Sequence, residues 1–258
     1  MFNWTAFTLL LMILMRVSGF ILFNPIFGRS GIPRFFIAGY IIVLSYAVYG
    51  TYGGGSIHIP DTMLELALRL MLELSLGLTV GMVMRFFFYI SEQAGEQIDA
   101  QMGMSMARTY DPNTQSQTTT TANLFNMMAL MLFFAARGHI TLLRLMLTSG
   151  EIVPFGTASL GPNVSERVAV LFAECVVLAF KLSMPILGAE LLGQIGMGVL
   201  MKAIPQINVF SINIELKVLI GLFMLMFLFG PIGDFLIEIE GLMLDELSDF
   251  LSLMGAGG

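Results

Sequence analysis

The chain has 258 residues, 57% of them hydrophobic and 12% charged, about half of the ~25% charged residues usual in globular domains. With 22 Phe, 21 Met and a mean hydropathy of +0.86 it reads as a multi-spanning membrane protein, not a soluble domain. A net charge of −6 and a pI near 4.9 exclude a nucleic-acid binder, which needs a basic face to meet phosphates.

The first apolar segment covers about 5–27 and holds Arg16 in its middle. It has no basic n-region, so a cleaved secretory signal is not expected. "GRSGIP" (28–33) turns the chain into a second segment, 35–52, and "YGGGSIHIPDT" (52–62) breaks it again. Asp61 or Thr62 is placed to cap the third segment, which starts near Met63, is apolar to about Ile90 and continues as an amphipathic helix to about Met106. The fourth segment runs over 123–147, past Gly138, and a turn-rich stretch follows at 148–166. The fifth covers 167–200 with Pro185 as an internal kink, and the sixth covers 214–229, ending at "GPIGD" (230–234). The acidic tail from about 231 repeats apolar residues every three to four positions, the pattern of an amphipathic helix on a surface or partner and not of a seventh span. No repeat at solenoid periods is visible, so the pattern predicts one continuous all-α domain of about six long apolar helical segments.

Arg29 and Arg34 lie in the first loop, Arg85 and Arg108 near the third, and Lys202 in the fifth, which by the positive-inside rule puts those loops in the cytoplasm and both termini outside. Arg144 and Arg167, flanking the fourth loop, oppose that orientation.

Arg16, Glu65, Arg69, Glu73, Glu174, Lys181 and Glu190 all fall inside apolar runs. A charge facing lipid at a helix centre costs about 2.5–3.5 kcal/mol, so these residues must pair or face protein. Glu65, Arg69 and Glu73 follow i, i+4, i+8 spacing and line one helical stripe; Glu174 and Lys181 are two turns apart on one face. Two readings stand: ion pairs that fix helix packing, or a proton or ion relay. The alternation of signs favours the pairs. Gly77 and Gly81, and Ala189 and Gly193, have the small-residue spacing that lets helix backbones approach. Glu92, Glu96 and Asp99 share a face of the third segment and read as solvated or partner-facing.

No catalytic, cofactor or metal constellation emerges. His58 and His139 lie in different loops without metal spacing, and no phosphate loop or nucleophile elbow is present. Cys175, the single cysteine, reads as a small buried hydrophobe. A non-enzymatic membrane component is expected, with a proton-coupled secondary transporter or channel using the intramembrane Glu, Arg and Lys residues as the alternative.

The run Tyr110, Asp111, Pro112, Asn113, Thr114, Gln115, Ser116, Gln117, Thr118, Thr119, Thr120 and Thr121 stands out in so apolar a chain: hydroxyl and amide side chains with a single charge. Its composition suits an ordinary exposed connection and a yielding polar obstruction equally.

Four stretches in this order, "RVSGFILFNPIFGRSGIPRF", "AGEQIDAQMGMSMARTYDP", "GHITLLRLMLTSGEIVPFG" and "GVLMKAIPQINVFSINIELK", make nearly the whole chain similar to the FliR/SctT family of type III secretion export-gate subunits. The blocks at 95–112 and 205–210 are the most specific, and the acidic tail is the least family-like. The resemblance implies membrane-associated helical hairpins resembling a fused FliP-like and FliQ-like subunit. It implies one copy of this chain in a hetero-oligomer with FliP-type and FliQ-type subunits, beside other export-apparatus membrane proteins, in the bacterial inner membrane at the flagellar basal body, much of it towards the periplasm. Unfolded flagellar proteins would pass through. It further implies that residues 110–121 form a plug in the channel. Pro205, Gln206, Asn208 and Phe210 then make a structural turn between hairpin arms, since Pro205 keeps Ile204 from helical geometry.

Overall fold

The computed structural model describes residues 4–27, 32–52, 60, 62–104, 119–159, 161–203 and 209–256. Among them the regular structure is helical: α1 (Trp4–Phe23), α2 (Arg34–Tyr52), α3 (Met63–Met102), α4 (Thr120–Ala135), α5 (Gly138–Ile152), α6 (Pro162–Ala203), α7 (Val209–Phe227) and α8 (Phe229–Ala256). By length and apolar composition α1, α2, α3 and α6 can each cross a membrane; taking each of the broken pairs α4–α5 and α7–α8 as one span gives six.

The helix ends follow local chemistry. Thr62 caps α3: its hydroxyl accepts from the Glu65 N–H at 3.2 Å, the Thr-x-x-Glu pattern of a capping box. Pro162 opens α6 where a missing N–H costs nothing. The fourth expected segment is two helices, not one. It breaks at 136–137, where Arg137 takes a left-handed φ of 61°, and a left-handed residue ends a helix. "GPIGD" likewise does not terminate a helix. The break falls at Leu228, and Pro231 sits in the first turn of α8, where proline is tolerated.

The chain clusters into two compact units whose segments interleave: Met1–Phe87 with Phe134–Phe172 and Glu240–Gly258, and Phe88–Phe133 with Ala173–Ile239. In the first, α2 packs against α1 and α5. Helices α1 and α3 cross backbone to backbone. A Cβ on Gly19 would run into the Leu74 carbonyl, one on Gly77 into the Arg16 carbonyl, and one on Gly81 would lie 2.8 Å from the Phe20 carbonyl. The end of the acidic tail is inside this unit: Met243, Leu247, Phe250, Leu251 and Met254 are buried, and the Arg167 guanidinium pairs with Glu246. In the second unit Gly95 lets α3 meet the backbone of Ala122 on α4, and Gly193 lies against Ile220.

Candidate functional site

The charged residues of the apolar helices build a connected cluster in the first unit. Arg16 on α1 is 1% exposed and Glu73 on α3 is 0% exposed; Arg16 Nε donates to Glu73 Oε2 at 2.6 Å. The guanidinium also donates from Nη1 to the carbonyls of Val153 (2.9 Å) and Ser149 (3.1 Å) and lies 4.1 Å over the Phe155 ring. The other Glu73 oxygen accepts from the Gly156 N–H at 2.7 Å, while Arg69 Nη1 donates to the Gly156 carbonyl at 3.0 Å. Gly156 has a φ of +85°, and that left-handed turn is open to glycine at little cost. Phe155 is buried and meets Tyr52 edge to face at 4.9 Å.

The i, i+4, i+8 stripe therefore divides. Arg69 pairs with Glu65 one turn away, both about a quarter to a third exposed (2.6 Å; 24% and 32%). Glu73 instead pairs across to α1. Sequence spacing alone joined Arg69 to Glu73, because it sees neighbours on one helix and not the residue on the next. The segment Val153–Gly156 was legible only as a turn. Its contribution is backbone carbonyls, one N–H and a ring, none of which leaves a charge signature.

Glu174 and Lys181, expected to be buried with the rest, are exposed on this chain. They do share one face of α6, but it is the outward one. Glu190, further along α6, is 1% exposed. Cys175 is buried.

A second constellation lies in the other unit, at the described ends of the hydroxyl-rich run. Asp99 is 0% exposed, not solvated as its place beside Glu92 and Glu96 suggests. One carboxylate oxygen accepts the Thr121 N–H at 2.8 Å and the other accepts the Thr121 hydroxyl. The Thr119 carbonyl accepts the Asn123 N–H at 2.9 Å, and Met104 N–H returns to the Asp99 carbonyl at 3.0 Å. Together with the Gly95–Ala122 approach, these bonds fix the end of α3 to the start of α4. Of the expected plug residues only Thr119, Thr120 and Thr121 belong to the described part; 110–118 lie outside it. So do Pro205, Gln206 and Asn208 of the expected turn, and Phe210 is described only as helical backbone in α7.

Among the described residues no group of three or more His, Cys, Asp or Glu is placed to hold a metal ion. What the two constellations do is hold helices: one locks α1, α3 and the loop after α5, and the other locks α3 to α4.

Described helices long and apolar enough to cross a membrane, tied by ion pairs between them, define a class of helical membrane proteins. Residues 7–240 match the family described as Bacterial export proteins, family 1, and the chain belongs to that family. It is 26% identical over 255 residues to the flagellar biosynthetic protein FliR of Bacillus subtilis (strain 168), covering 96% of each chain. It is 25% identical to the FliR of Escherichia coli (strain K12), covering 93% of this chain and 91% of that one. It is 27% identical to the surface presentation of antigens protein SpaR of Shigella flexneri, covering 80% and 84%.

Proposed function

We propose that this chain is a non-enzymatic subunit of the flagellar type III protein export gate, contributing pore wall and a plug loop at residues 110–121. Membership of the bacterial export family and the helices able to span a bilayer make it an inner-membrane component of an export apparatus. The finer reading is that one copy assembles with FliP-type and FliQ-type subunits, and that unfolded flagellar proteins pass through.

The observation that carries the plug reading is the clasp between Asp99 and Thr121. A loop that obstructs a channel has to return to the same resting place after each passage. A buried carboxylate holding both donors of Thr121 anchors the loop's exit to the helix from which the loop departs. Short hydroxyl and amide side chains between these anchors can hydrogen-bond to water and to one another without strong ion pairs. Such a run obstructs small ions and still yields to a polypeptide. A Thr-rich stretch with Pro112 also resists continuing the helix.

Deleting Asn113–Thr118, which leaves Thr119 and the start of α4 in place, tests this. The complex should assemble, because the deleted run has no apolar side chain to pack, and planar bilayers containing it should conduct small ions. An assembled complex that stays ion-tight would remove the plug role from this segment.

A further inference from the structure

Where α4 breaks into α5, the first unit holds a cavity of about 340 Å³ that the export reading does not use. That size lies in the roughly 300–1,000 Å³ range of small-ligand sites. Its walls are mostly apolar, with Phe20 of α1, Leu44 of α2 and Leu142, Leu143 and Met146 of α5 among them. Three polar residues also line it. Asn24 is already engaged: its Oδ1 accepts from the Ile26 N–H at 2.9 Å and its Nδ2 donates to Met84 Sδ at 3.1 Å. Tyr40 and His139 are not: their rings lie against Phe27 and Phe134, and neither side chain hydrogen-bonds to a described residue.

Between the two lining residues Phe134 and His139 sits Arg137. It is exposed, with no ion pair among the described residues, and it holds the left-handed φ of 61° that turns the chain. That conformation costs an L-residue with a side chain about 1–2 kcal/mol relative to a right-handed one. Glycine would turn the chain more cheaply, so the backbone gives no reason for arginine. The charges of the segment have one sign: from Pro112 to Gly150 there is no Asp or Glu, and Arg137 and Arg144 are its charged residues.

We propose that this cavity binds an anionic phospholipid, one acyl chain lying along the apolar wall and the phosphate held by Arg137 with His139 and the Tyr40 hydroxyl. The occupant is a membrane lipid because α1 and α2, which wall the cavity, are both long and apolar enough to cross a bilayer. Helix α2 also exposes Phe35, Phe36, Ile42, Val43 and Tyr46. The lipid is anionic because the turn that carries the lining residues Phe134 and His139 presents Arg137, exposed and without an ion pair among the described residues, and basic pockets between membrane helices select anionic head groups. This proposal rests on membrane location alone and is independent of the plug.

The test uses the export complex purified in mild detergent and stripped of lipid, with native mass spectrometry as the readout. Phosphatidylglycerol and phosphatidylcholine are titrated separately. The expected result is one retained phosphatidylglycerol per copy of this chain, at least tenfold tighter than phosphatidylcholine. Arg137→Gln, at the exposed turn, should cut that preference below threefold and leave phosphatidylcholine binding unchanged. Leu143→Trp, which fills the cavity from a half-exposed position, should lose both adducts with the complex intact. Equal affinity for the two lipids, or undiminished phosphatidylglycerol binding in Leu143→Trp, overturns the proposal. So does a photo-crosslinker at Leu143 that captures a partner subunit's side chain in place of lipid.

Discussion

Arg16 and Glu73 are within 1% of complete burial and pair with each other, and between them reach the Ser149 carbonyl near the end of α5 and two backbone groups of the loop after it. Removing either leaves a buried charge without its partner, a loss of about 3–5 kcal/mol. Arg16→Ala and Glu73→Ala should therefore each depress the yield of folded protein in detergent and its thermal midpoint, and Arg16→Met with Glu73→Leu should recover much of the loss. Arg69→Ala serves as the contrast. Its partner Glu65 is 32% exposed, and a solvent-screened pair contributes about 0–1 kcal/mol. If Arg69→Ala proves as damaging as Arg16→Ala, the cluster acts as one unit through Gly156. Asp99 gives a second residue-scale prediction. Asp99→Ala strips the buried Thr121 N–H and hydroxyl of their acceptor, costing about 1–3 kcal/mol. Hydrogen exchange at the start of α4 should accelerate while that at the α1–α3 crossing stays unchanged; unchanged exchange at Thr121 would mean the clasp holds nothing.

At the scale of elements, α1 and α3 are held close by absent side chains. Gly77 lies one turn after Glu73 and directly against the Arg16 carbonyl, so the backbone approach and the ion pair occupy one stretch of the same two helices. Small residues permit this contact, and dispersion between backbones then stabilises it. Gly77→Val should force the helices apart and also break the Arg16–Glu73 bond, giving a loss at least as large as either charge deletion. Gly39→Val, where a Cβ meets nothing within 4 Å, is the control for helix propensity. Comparable thermal midpoints for the two variants would count against a tight crossing. The Gly77/Gly81 spacing was visible in the sequence as a motif. Which helix it faces was not, because spacing specifies a face and leaves its partner open.

For the whole molecule, the exposed apolar faces of α2, α6 and α7 are those of a chain that completes its burial against lipid or other subunits. The proposed gate role places its decisive test there: deletion of Asn113–Thr118 should separate assembly from ion-tightness, leaving the first and abolishing the second. Asp99→Ala should leak less than the deletion, since it loosens an anchor and leaves the loop present. A leak from Asp99→Ala without one from the deletion would contradict the plug.

Composition alone determined that this is a helical membrane protein, because so few charges and so long a series of apolar runs have no other solvent. The order of four motifs determined the family, which spans residues 7–240. Helix starts were legible where a cap is local, as at Thr62. The tertiary structure decided the rest. It gave Glu73 to Arg16, moved Asp99 from a solvated face to a buried clasp, and turned Glu174 and Lys181 outward. It also split the fourth segment at Arg137 and folded the end of the acidic tail into the first unit. The physical reason is common to all of these. Periodicity reports which residues share a face of one helix, whereas burial and pairing depend on what another helix, distant in sequence, brings to that face.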